Sequence, residues 1–107
     1  MDAVEKLKRK GISIDIRALS AVAKNYGISE LSVFGSAIRD DDSMPNDIDL
    51  LVVLARDQDV SLFDVMDLEA TLTELFGQHV DVVEPASLIN PLRRKNILAS
   101  AERLYAA

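Results

Sequence analysis

At 107 residues, with 12 basic and 18 acidic side chains and a formal net charge of −6, the chain holds one core, and a single domain over residues 1–107 is the expected organisation. The absence of cysteine excludes disulfides, thiolate zinc sites and thiol catalysis. The acidic balance argues against gripping duplex nucleic acid by phosphate neutralisation, so nucleic acid is not an expected partner.

The basic cluster Lys6, Lys8, Arg9 and Lys10 before Gly11 marks the end of a short first helix and reads as a solvated face, with cations at the negative end of the helix dipole. The opening Met1-Asp2-Ala3-Val4-Glu5-Lys6 lacks the basic-then-apolar order of a secretory signal. No apolar run approaches the roughly 20 residues of a membrane span. A cytoplasmic protein with no membrane partner is expected.

Ile14, Ile16, Leu19, Val22, Ala23 and Tyr26 recur at three- and four-residue steps and predict an amphipathic helix ending at Gly27, capped by Ser13 or Asp15. Leu31-Ser32-Val33-Phe34 reads as a strand stopped by Gly35-Ser36, and residues 37–46 as a polar, acidic loop. The run from Ile48 to Leu54 is nearly all apolar, which predicts a central strand covered on both faces. Leu62, Val65, Met66, Leu68, Glu69, Leu72 and Leu75 fit a helix closing at Gly77. His79 to Glu84 gives a further strand before Pro85, and Asn90-Pro91 opens a last helix expected to run through Ile97, Leu98, Ala101 and Leu104. The sum is a small α/β (α+β) layer, a sheet of three or more strands flanked by helices.

Two features carry chemistry. Gly35-Ser36 follows directly on a strand, and ten residues later Asp47-Ile48-Asp49 stands at the mouth of the central strand. Alternation along a strand sends Asp47 and Asp49 to one side and Ile48 to the other. Carboxylates held that close repel unless a cation lies between them, and oxygen ligands suit a hard ion such as Mg2+. Asp81, between Val80 and Val82, joins them if its strand is the neighbour in register. Three converging carboxylates can hold two metal ions about 4 Å apart, an arrangement that serves in-line displacement at phosphorus. The Gly35-Ser36 turn would offer backbone N–H groups and a hydroxyl to a triphosphate.

Gly35-Ser36, Asp47-Ile48-Asp49 and Asp81 in its Val-Asp-Val-Val strand together resemble the minimal nucleotidyltransferases of the DNA polymerase β superfamily. The resemblance implies that fold, a small mixed sheet flanked by helices. It implies that Gly35, Ser36 and Arg39 bind the nucleotide, and that Asp47, Asp49 and Asp81 are catalytic and hold two Mg2+ ions. Stand-alone members this small are similar to the antitoxins paired with HEPN-domain toxins, which implies transfer of AMP from ATP to a hydroxyl of the toxin, a ribonuclease. Many relatives carry an arginine after the Gly-Ser pair, then another arginine and a glycine. Here Ala37 stands in the first position, Arg39 matches the second, and Asp40 replaces the glycine. Asp40, Asp41 and Asp42 would weaken donor binding by repulsion if they face the pocket. The competing expectation is an antitoxin that neutralises its toxin by binding alone.

The other conspicuous residues have plainer readings. His79 reads as a surface or internally satisfied imidazole, and Tyr26, Tyr105, Phe34, Phe63 and Phe76 as core. Arg93, Arg94 and Lys95 open the last helix at its positive end, a misfit with the dipole that points to anion or partner contact, against the commoner solvated face.

Overall fold

Among the described residues, four side chains start four helices, each by accepting backbone N–H groups that would otherwise lack partners. Asp2 caps α1 (Ala3–Arg9), Asp15 caps α2 (Ile16–Asn25), Ser61 caps α3 (Leu62–Phe76) and Asn90 caps α4 (Pro91–Ser100). Ser61 and Asp64 bond reciprocally as a capping box, and Gly77, at φ +73°, closes α3 in the left-handed conformation that a side chain would disfavour. These elements belong to a computed structural model that describes residues 2–42, 44–55 and 61–107.

The strands are β1 (Ile28–Phe34), β2 (Ile48–Leu54), β3 (Val80–Val83) and β4 (Glu102–Ala106), in the order β3-β2-β1-β4. β1 runs antiparallel to β2 and β4, while β2 and β3 are parallel and joined through α3, so the sheet is mixed. Period-two alternation sorts the side chains into two layers. Leu31, Val33, Ile48, Leu50, Val52 and Val80 pack with Leu7 of α1, Leu19 and Ala23 of α2, and Leu68, Leu72 and Phe76 of α3. On the opposite face Phe34 and Leu51 meet Leu88 and Ile97 of α4 in a smaller cluster. β2 is thus covered on both faces, as its apolar run predicts. Each large apolar side chain taken fully out of water contributes about 1.5–3 kcal/mol.

The free edge of β3 is closed by side chains of α3. Thr73 Oγ1 accepts from Val80 N at 3.0 Å, and Glu69 Oε2 accepts from Val82 N at 2.8 Å. Both outward N–H groups of that strand are therefore satisfied without a further strand.

Several expectations need correction. The last helix stops at Ser100, and Ala101 turns extended (φ −64°, ψ 138°). Residues 102–106 form β4 against the outer edge of β1, with Leu31 paired to Tyr105 and Val33 to Glu102. The spacing of Ile97, Ala101 and Leu104 imitates a helix, but unpaired backbone along β1 is a stronger attractor than one more helical turn. β1 starts three residues earlier than Leu31, at Ile28. Phe63 is 80% exposed at the start of α3 beside exposed Leu62 and Met66, because the buried stripe of that helix runs through Leu68, Leu72 and Phe76. Lys10 is no solvated cation: it is buried, and its Nζ lies 2.8 Å from Asp41 O and 3.0 Å from Asp41 Oδ1. Among the described residues no helix is long and apolar enough to cross a membrane.

Candidate active site

The strand registers bring the acids together. β1 pairs Phe34 with Asp49, and β2 pairs Asp49 with Asp81, so Asp49 lies between the end of β1 and the start of β3. Ile48, Leu50, Val80 and Val82 point into the main core, which leaves Asp49 and Asp81 on the face that α4 covers. Asp47 comes one strand step before Asp49 and His79 one step before Asp81. Ile48 N donates to His79 O at 2.9 Å, which fixes the two strand mouths side by side.

His79 Nδ1 lies 3.1 Å from Asp47 Oδ1 and 3.7 Å from Asp81 Oδ1. Among the described residues, Asp47, His79 and Asp81 each offer a ligand atom, all within 4.8 Å of one another. Asp49 sits deeper, beside this group. Its carboxyl is pushed above the usual carboxylate range by burial first, then by the charges of Asp81 and Asp47, while Arg93 of α4 opposes the shift. The local misfit of Arg93 on its helix thus coincides with a position that feels the acids.

Gly35 opens the short 3-10 turn Gly35–Ala37 at φ +78°. A Cβ there would come within 3.0 Å of Asp49 Oδ2. The glycine therefore serves twice: it takes a backbone conformation that L side chains disfavour, and it leaves room for the carboxylate. Ser36 follows in the same turn, half-buried, and Ala37 is buried.

Arg39 goes elsewhere. Its Nε lies 3.9 Å from Asp41 Oδ2, and it lines a cleft of about 770 Å3 between the end of α1 and residues 38–42 that shares no residue with the acid cluster. Asp40 faces Arg9 at 3.9 Å and Asp41 faces Lys10, so these two acids are turned to the cations of α1. Asp42 lines the same cleft, so the acidic run borders the end of α1 and not the acid cluster.

His79 is the member of the cluster that the sequence reading left out. The signal was present: position 79 shares the alternation of Asp81, and a strand mouth beside Asp47 is no ordinary surface.

The donor chemistry fits a divalent cation. A half-buried carboxylate whose pKa is raised by two like charges is relieved when a cation enters. Asp47, His79 and Asp81 could reach one cation together, and Asp49 pairs with Asp81 across the two strands.

Mixed sheet, acids at two adjoining strand mouths and a glycine turn beside them define a class that transfers nucleotides. The chain belongs to the nucleotidyltransferase domain family, whose model matches residues 16–104. A candidate protein adenylyltransferase of Methanocaldococcus jannaschii is 34% identical over 98 residues, covering 92% of this chain and 94% of its own. The solved structure of a candidate minimal nucleotidyltransferase superposes with a TM-score of 0.64 at 29% identity, covering 94% of both chains. A complex of a tri-AMPylated HEPN toxin of Shewanella oneidensis with its MNT antitoxin contains a chain matching at a TM-score of 0.61 and 17% identity, over 86% of this chain and 70% of that one; this likeness is one of fold.

Proposed function

We propose that this chain is a Mg2+-dependent protein adenylyltransferase that moves AMP from ATP to a hydroxyl of a HEPN-type ribonuclease toxin and so acts as its antitoxin, in the cytoplasm, as one domain spanning residues 1–107. The observation that carries the reading is the parallel register of Asp49 against Asp81, with Asp47 one strand step away and the Asp49 carboxylate in the space that a Cβ at position 35 would crowd. The adenylyltransferase relative and the antitoxin-like neighbour support the donor and the partner.

In the reaction, the acceptor oxygen attacks the α-phosphorus of ATP, a P–O bond forms, and the bond to the β,γ-pyrophosphate breaks as pyrophosphate leaves. The hydroxyl proton passes to an Oδ of Asp81, which stands opposite Asp49 in the register of the two parallel strands. Asp47, Asp49 and Asp81 would hold Mg2+, two ions in the full site, and the metal would supply charge stabilisation for the displacement at phosphorus. Gly35 and Ser36 present backbone N–H groups and a hydroxyl to the triphosphate, and the missing Cβ at Gly35 permits close approach. Arg39 reaches the donor only by leaving Asp41. Arg93 lends positive charge near the acids.

The test is transfer of label from α-labelled ATP to a co-purified HEPN toxin. It is expected with Mg2+ and lost, by about a thousandfold or more, in the double variant Asp47→Asn/Asp49→Asn with its fold intact. Undiminished transfer in that variant refutes the assignment. A second reading, neutralisation by binding alone, is favoured by buried Ala37, which puts no cation where many relatives carry one. It requires the same double variant to rescue cells from the toxin.

A further inference from the structure

We propose that His79 is a nitrogen ligand of the metal site and biases it toward transition-metal cations, Mn2+ included, over Mg2+. The inference rests on the metal-binding reading given above and adds a residue and a metal preference to it.

The geometry is that of a coordination face. Metal–ligand bonds of about 2.1 Å place neighbouring ligands about 3.0 Å apart in an octahedron and about 3.4 Å apart in a tetrahedron, with about 4.2 Å between opposite ligands. The imidazole Nδ1 stands 3.1 Å from one Asp47 oxygen and 3.7 Å from one Asp81 oxygen, and the ligand atoms of the three residues lie within 4.8 Å of one another, so one cation can touch all three once side-chain rotation draws them together. The backbone that carries His79 is fixed, because its carbonyl accepts from Ile48 N at 2.9 Å between the two acids' strands. The side chain is 60% exposed, so among the described residues the ring is open to an ion arriving from solvent.

Chemistry then separates the ions. Mg2+ is a hard cation that takes oxygen ligands in near-ideal octahedra and gains little from imidazole. Mn2+ also accepts carboxylate and water, and although it stands lowest in the first-row divalent series it tolerates a nitrogen ligand better than the strictly oxygen-seeking Mg2+. A face of two carboxylates and one imidazole therefore favours Mn2+, whereas the same strand mouths with an apolar residue at position 79 would present oxygen alone. If His79 were instead only a hydrogen-bonding partner of Asp47, it would steady that carboxylate equally for every ion, and no nitrogen would enter the coordination sphere.

The experiment uses the full chain without nucleotide, with Mn2+ and Mg2+ as separate probes. Pulsed electron paramagnetic resonance on the Mn2+-loaded wild type is expected to show modulation from a directly bound 14N, absent in His79→Ala. Calorimetric titration is expected to give about a tenfold loss of Mn2+ affinity in His79→Ala and less than about a twofold change for Mg2+. Mn2+ bound without 14N modulation, or an equal loss for both ions, overturns the role of His79 while leaving the metal-dependent transferase reading intact. If neither ion binds the wild type, with or without ATP, the functional reading falls first and this inference with it.

Discussion

Replacing Gly35 with alanine separates what this glycine does for the backbone from what it does for the site. At φ +78° an L side chain costs about 1–2 kcal/mol, and the new Cβ would stand 3.0 Å from Asp49 Oδ2, so the carboxylate has to retreat by a few tenths of an ångström. Gly77 provides the control: its φ is +73°, and a Cβ there meets nothing within 4 Å. Gly35→Ala and Gly77→Ala should therefore lose similar stability, each lowering Tm by roughly 4–8 °C per kcal/mol lost for a domain of this size. Only Gly35→Ala should also lose function, by about tenfold or more in transfer rate and in divalent-ion affinity, since displacements well under 1 Å in a reacting constellation are costly. Thermal melts with calorimetric metal titration decide the matter. Equal metal affinity in wild type and Gly35→Ala would refute the argument that the missing Cβ makes room for Asp49, whatever the melts show.

Two further outcomes follow from the same geometry. In chelator the folded state holds the Asp49 proton more tightly than the unfolded chain does, so its contribution to stability is full below the ordinary value of 3.8 and is lost as pH climbs through the raised folded value. Asp49→Asn lacks this loss. Urea midpoints in chelator should put the variant above wild type at neutral pH, with the order reversed when Mn2+ or Mg2+ is added; a variant less stable than wild type in chelator contradicts the burial of charge assigned to Asp49. Thr73→Val keeps the volume of the side chain and removes the acceptor of Val80 N, and should cost about 1–3 kcal/mol in chemical unfolding. An unchanged midpoint would mean that water replaces the hydroxyl at no cost.

Much of the site could be read from the chain because strands impose a rigid parity. Asp47 and Asp49 share a side of β2 whatever the packing, and the valines beside Asp81 declare which side is core. The neighbourhood of β2 and β3 was a condition in the sequence, and only three-dimensional pairing satisfies it. His79 escaped notice for that reason, since a single imidazole acquires meaning only when another strand mouth stands 3.1 Å away. β4 was misread because a five-residue segment with Leu104 and Tyr105 has too few positions to distinguish helical from extended spacing. Its pairing comes from β1, about seventy residues earlier in sequence. The buried role of Lys10 is likewise long-range, for its partner Asp41 lies 31 positions on.

The hydroxyl and carboxylate by which α3 seals the rim of β3 also restrict how another protein can approach. A visiting chain cannot extend the sheet on that side, because the N–H groups it would need at Val80 and Val82 are already taken. A protein presenting a hydroxyl to Asp81 therefore meets the exposed side chains of the strand mouths rather than an open strand edge, with side chains leading and main chain behind.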